Sequence, residues 1–180
     1  MARSAVRTAA HIDADPVRVL HTVNAVLREW FTGGTAFVTA VYATLHPVGP
    51  TVWRATLVSG GHPPGFVRRA GGTVEMLRGG GTVLGVLADV PLGTQEIALE
   101  PGDCLVLYTD GITEARPPGC VDQFDEPGVV GALSALPLDS DAEFVAAAVI
   151  RGALEHAHET LDDDAGVVVV RITPTGSGSH

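Results

Sequence analysis

Two groups of acidic residues in this chain stand where a sheet would present them at its edge. The run Leu105-Val106-Leu107-Tyr108-Thr109 ends in Asp110-Gly111, and Asp162-Asp163-Asp164 come shortly before Val167-Val168-Val169-Val170. An apolar strand that stops at an acid puts a carboxylate at a sheet rim. If the two strands are antiparallel partners, acid after one and acid before the other meet at the same rim. Hard oxygen donors gathered there are what Mg²⁺ or Mn²⁺ requires. Gly111 lets the backbone turn sharply and lets a metal or phosphate come close. Each group also has a plainer reading. Asp-Gly is a common hairpin turn, and an isolated acidic triplet is a solvated loop. Three adjacent carboxylates repel one another unless a cation or solvent offsets the charge.

Other side chains carry weaker chemistry. His62 follows an apolar segment and precedes Pro63-Pro64, which fix the exit of the chain. It suits either hydrogen bonding at a rim or a structural turn. His156 and His158 lie close to the triplet, but two residues apart on a helix they point to different faces, against joint zinc ligation. Ser59, Ser134 and Cys104 lack the context of an activated nucleophile. Asp13 and Asp15 stand at a helix start and not after an apolar strand.

The elements that must position these groups follow from spacing. Asp15-Pro16 opens a helix whose Val19, Leu20, Val23, Val26, Leu27 and Trp30 recur at helical intervals. Ser140 with Glu143 reads as a capping box for a second long helix reaching about His158, and a shorter helix is expected around Pro127–Leu136. Strands are expected at Phe37–Leu45, Val52–Ser59, Gly65–Arg69, Thr73–Leu77, Thr94–Leu99, Asp103–Tyr108 and Gly166–Ile172, joined by Gly/Pro turns as antiparallel hairpins and meanders. Phe37–Leu45 is apolar on both faces, as a strand covered on both sides would be. Helices before and after a β block give an α+β class in stacked layers.

Taken in order, Gly60-Gly61-His62-Pro63-Pro64, Tyr108-Thr109-Asp110-Gly111 with Thr113-Glu114-Ala115, and Asp162-Asp163-Asp164 resemble the successive motifs of the SpoIIE-type bacterial protein serine/threonine phosphatases of the metal-dependent PPM superfamily. The resemblance runs from about Phe37 to Ile172, with Val17–Phe31 similar to the preceding helix. It implies an αββα sandwich over residues 1–173, with 174–180 a linker or tag-like tail. It implies a Mn²⁺ or Mg²⁺ centre, usually of two metals, with Asp110-Gly111 at one metal-ligand position, Asp163 as a ligand and Asp164 orienting it. His62 becomes a site-adjacent member of a catalytic set with Asp110 and Asp163. The implied activity is hydrolysis of phosphoserine or phosphothreonine on a regulatory protein such as an anti-anti-sigma factor, in the cytoplasm, by direct attack of an activated water.

The chain departs from the family pattern at Gly166, where a threonine is usual. Upstream of Val17 it also has no counterpart to the family's Gly-Asp motifs. The resemblance therefore implies the C-terminal portion of an N-terminally incomplete domain. On that expectation Mn²⁺ binds weakly, turnover is poor, and Phe37–Leu45 and Val52–Ser59 are left uncovered, favouring self-association. The competing function is a non-catalytic phosphatase-like remnant or interaction module.

Composition bounds these readings. A length of 180 residues, 46% of them hydrophobic, suits one domain with a real core. A net charge of −10 argues against nucleic acid or an anionic membrane as partner. Two distant cysteines, Cys104 and Cys120, make neither a disulfide framework nor a zinc knot and suit a reduced compartment. No apolar run approaches the roughly 18 residues needed to span a bilayer.

Overall fold

The computed structural model describes residues 2–31 and 36–173, so the expected tail at 174–180 lies outside the described residues. The described chain forms two compact units, one built from segments within residues 1–46, 54–64 and 78–98, the other mainly from 65–77 and 99–173.

The first unit contains α1 (Ala2–Ile12), α2 (Pro16–Trp30), β1 (Ala40–Pro47), β2 (Trp53–Gly60) and β5 (Gly93–Leu99). Its sheet runs β1-β2-β5. Asp15 caps α2 as its spacing requires: the carboxylate accepts from the Val17 N–H at 2.9 Å, satisfying one orphan donor of the first turn. Val19, Leu20, Val23 and Leu27 are fully buried along one face and pack with Ala9, Val58, Leu84 and Val90. Buried Asn24 in the same face pins a loop, donating to the Leu87 carbonyl at 2.9 Å and accepting from the Gly85 N–H at 2.8 Å.

The second unit contains β3 (Phe66–Arg68), β4 (Val74–Met76), β6 (Cys104–Tyr108), α3 (Asp110–Thr113), α4 (Asp125–Ser134), α5 (Ala142–His156) and β7 (Val167–Arg171). Its antiparallel sheet runs β4-β3-β6-β7. Phe66, Cys104, Val106 and Tyr108 face Ile112, Val129, Leu133, Val145, Val149 and Ala153 of the helices in one continuous core. Arg68 is buried among them. Its guanidinium donates to the carbonyls of Leu133 at 3.0 Å, Leu136 at 2.7 Å and Pro137 at 3.0 Å, filling the acceptors left open where α4 ends. Arg69 bridges Glu75 at 2.8 Å and Asp103 at 2.9 Å, and the hydrogen bond from Arg69 holds the Glu75 carboxyl below its usual range.

The expected strands all occur, within a few residues of their expected ends. One helix is added to the expected elements and three expectations are corrected. Residues 2–12 form α1, which the pattern of Ala2, Ala5, Val6 and Ala9 could have shown: small residues at helical spacing let α1 lie close against α2. The long helix is capped by Asp141, which accepts from the Phe144 N–H at 2.7 Å, while the Ser140 hydroxyl instead donates to the Pro137 carbonyl. Strand β1, expected to be covered on both faces, is only half-buried on each from Ala40 to Leu45, and it lies at the edge of its sheet. Strand β2, expected to be uncovered, lies in the middle of its sheet, with Ala55 and Val58 fully buried.

Candidate metal centre

Strands β6 and β7 pair antiparallel with Tyr108 opposite Val167, so both acidic groups do leave the sheet at one end. The pairing continues past the strands. The Thr109 N–H donates to the Gly166 carbonyl at 2.9 Å. The Thr109 hydroxyl donates to the Asp164 carbonyl at 2.9 Å and accepts from the Gly166 N–H at 2.9 Å. One side chain thus ties the turn bearing Asp110 to the loop bearing Asp163 and Asp164. Thr109 was visible in the sequence only as a residue between strand and acid, with nothing to mark this role.

Asp110 does not form a hairpin turn. It opens α3, a single helical turn in which the Glu114 N–H and the Thr113 hydroxyl both donate to its carbonyl, at 2.8 and 3.2 Å. Gly111 has no room for a side chain: an added Cβ would lie 2.6 Å from the Asp164 carbonyl oxygen. The glycine is needed where the two acid-bearing segments touch. At Gly166 an added Cβ would meet the Thr109 side chain, its methyl group at 3.6 Å and its hydroxyl at 3.9 Å, both ordinary contacts, so the departure from threonine there is not enforced by space.

The carboxylates at this rim are open to solvent or half-buried, and their hydrogen bonds are local. Asp110 Oδ1 accepts from the Gly111 N–H at 3.1 Å and Asp163 Oδ1 from the Asp164 N–H at 2.7 Å. A small cleft is lined by Gly111, Glu114, Ala115, Arg116, Asp162 and Asp163. Arg116 is its basic side chain, and sequence reasoning passed over it. The donor set is of the class Mg²⁺ and Mn²⁺ take, and a Mg²⁺-like ion completes its shell with water. Among the described residues, however, no three of His, Cys, Asp and Glu converge into a ready-made metal cage. The fit is to an open, carboxylate-poor centre.

The remaining candidates are described by their own surroundings. His62 belongs to the first unit, just beyond β2. Its backbone N–H donates to the Ser59 hydroxyl at 3.3 Å, and its ring Nδ1 lies 3.0 Å from the Pro63 carbonyl, a self-contained turn. His156 packs its ring on Phe124 with Nε2 3.1 Å from the Asp122 carbonyl. His158, past the helix end at φ 51°, is exposed, so the two histidines do not share a ligand position. Cys104 is buried, and burial raises its thiol pKa, which removes the thiolate a nucleophile needs. Among the described residues no helix is long and apolar enough to cross a membrane.

A family model described as Stage II sporulation protein E (SpoIIE) matches residues 1–173. The phosphoserine phosphatase RsbU of Bacillus subtilis (strain 168) is 34% identical over 102 residues, which cover 56% of this chain and 29% of RsbU. Among solved structures, the SiaA-PP2C domain of Pseudomonas aeruginosa superimposes with a TM-score of 0.75 at 19% identity, over 94% of this chain and 67% of that one. The Mn-presoaked phosphatase domain of SpoIIE from Bacillus subtilis gives 0.65 at 18% identity, over 96% and 73%. These likenesses show a PPM-type phosphatase fold of the α+β class. The matched stretch of RsbU is less than a third of that protein's length.

Proposed function

We propose, from the premise that this chain belongs to the SpoIIE family, that it is a metal-dependent phosphatase domain acting on phosphoserine or phosphothreonine of a regulatory protein. The observation that supports this reading most is the Thr109 clamp, which holds Asp110 and the 162–164 loop at one rim in the second unit. Asp110 and Asp163 would hold the ion and Asp164 would orient Asp163. Mn²⁺ or Mg²⁺, when bound, supplies Lewis acidity and neutralises charge on phosphoryl oxygens. Gly111 brings the two acid-bearing segments into contact. His62 would be the site-adjacent member of the set, its ring held by the contact of Nδ1 with the Pro63 carbonyl.

The partner is a phosphorylated protein, with an anti-anti-sigma factor as the class we favour and a reducing cytoplasm as the setting. RsbU, a phosphoserine phosphatase by name, supports the substrate chemistry. Phosphate release from a phosphoserine peptide, measured with Mn²⁺ and again with a chelator, tests the reading. Release that stops on chelation and falls at least tenfold in Asp110→Asn is expected. Release indifferent to both would end it.

The second reading, a non-catalytic interaction module, is favoured by one observation: no three metal-ligand side chains converge among the described residues. It predicts phosphopeptide binding with no release at any Mn²⁺ concentration.

A further inference from the structure

Arg116 stands one turn beyond α3, on the wall of the cleft that also carries Glu114, Asp162 and Asp163. Three carboxylates against one guanidinium give that cleft a negative balance. A phosphate monoester arriving there brings up to two more negative charges, and the repulsion would be large without a cation on its path. A guanidinium is well suited, because its planar fork matches phosphate oxygens with charge-assisted hydrogen bonds.

The way Arg116 is held matters as much as its position. Its contact with Asp162 is a single one at 3.8 Å, with side chains 45% and 74% exposed. Arg69, in contrast, makes 2.8 and 2.9 Å bridges to Glu75 and Asp103, and Arg18 lies 2.9 Å from Asp13. An exposed ion pair of such length contributes little to stability. Asp162 is therefore a loose partner that a stronger acceptor can replace.

We propose that Arg116 is the phosphate-binding side chain of this site and that Asp162 is its placeholder, displaced when the substrate's phosphoryl group arrives. The inference rests on the phosphatase reading above and adds to it the group that recognises the substrate. It also gives the first residue of the acidic triplet a role separate from that of Asp163.

The test is titration of the full chain, with Mn²⁺ present, with a peptide carrying the non-hydrolysable phosphonate analogue of phosphoserine and with its unmodified twin. Arg116→Gln should weaken phosphopeptide binding about tenfold and Arg116→Lys by less, since loss of one charge-assisted hydrogen bond is of that order. Mn²⁺ affinity and the thermal midpoint should stay put. Asp162→Asn should tighten binding about two- to fivefold, by freeing the guanidinium. In the Arg116→Gln background, Asp162→Asn should then have no effect. If it still tightens binding there, general charge reduction is the cause and the placeholder role is overturned. If both single variants weaken binding together, the pair is merely structural and the assignment falls. If the unaltered chain does not distinguish the two peptides at all, the phosphatase reading itself fails, and Arg116 with it.

Discussion

At the scale of single residues, the groups that would do chemistry are less telling than those that hold them in place. Thr109 is the clearest case, since one hydroxyl gives and receives a hydrogen bond across two loops. Thr109→Val should cost about 1 kcal/mol of stability, a typical net loss for exposed hydrogen bonds, and should weaken Mn²⁺ binding by separating Asp110 from Asp163. Calorimetry that finds unchanged Mn²⁺ affinity in this variant would show that the clamp does not serve the metal. Gly111→Ala should be worse, at about 1–3 kcal/mol, because its methyl would meet a backbone carbonyl that cannot simply rotate away. Tyr108 allows a pH test. Its hydroxyl is buried with no hydrogen-bond partner among the described residues, and burial first, with Glu126 adding to it, raises its pKa above the ordinary value. A raised folded pKa means full stability below the unfolded value near 10 and a loss as pH climbs through it. Urea midpoints should therefore fall above about pH 10 in the parent and much less in Tyr108→Phe. At neutral pH that substitution should cost little, since no hydrogen bond is lost.

At the scale of elements, the strand pattern was legible because each strand is a short run of β-branched and aromatic residues between Gly/Pro turns, and such runs have few alternatives. The meeting of Asp110 and the triplet was legible only on the condition that β6 and β7 pair antiparallel; the pairing and its register come from the structure. What escaped notice depends on contacts the sequence does not display. Helix α1 is stabilised by an alanine stripe that makes sense only against α2, and α3 is too short to have a periodicity. Asp141 displaced Ser140 as a cap because both are good caps one residue apart, and the Pro137 carbonyl claims the serine. Arg116 was passed over because an arginine after a motif looks like any surface arginine until a cleft forms beside it. The same blindness applies to Arg68, whose neighbours in sequence say nothing of the helix end it caps. Arg68→Ala should cost about 3 kcal/mol or more, through an emptied core position and three carbonyls left without a donor. A denaturant midpoint shifted by less than the equivalent of about 1 kcal/mol would mean that water replaces the guanidinium there.

At the scale of the whole molecule, the question is which sheet edges invite a partner. Among the described strands, β1 ends in Pro47, β4 is three residues long and carries Glu75, and β5 carries Glu96, all devices that discourage pairing. Strand β7 has none until Arg171: it is four consecutive valines at the edge of its sheet, with Val168 61% exposed. Self-association is therefore expected through β7, and not through the β1 and β2 segments that the sequence alone would nominate. An antiparallel β7–β7 pairing would also carry Arg171 toward the acidic loop before the partner's Val167, a favourable match of charge. Against it stands the net charge of −10, whose repulsion is long-ranged at low salt and screened within about 10 Å at 0.1 M. The two effects predict a particular salt dependence: sedimentation at tens of micromolar should show monomer at low ionic strength and increasing dimer as salt is added. Val168→Lys should keep the chain monomeric at all salt concentrations by setting like charges on a bare edge. A parent chain that stays monomeric at every salt concentration, or dimers that survive Val168→Lys, would remove β7 from consideration as the interface.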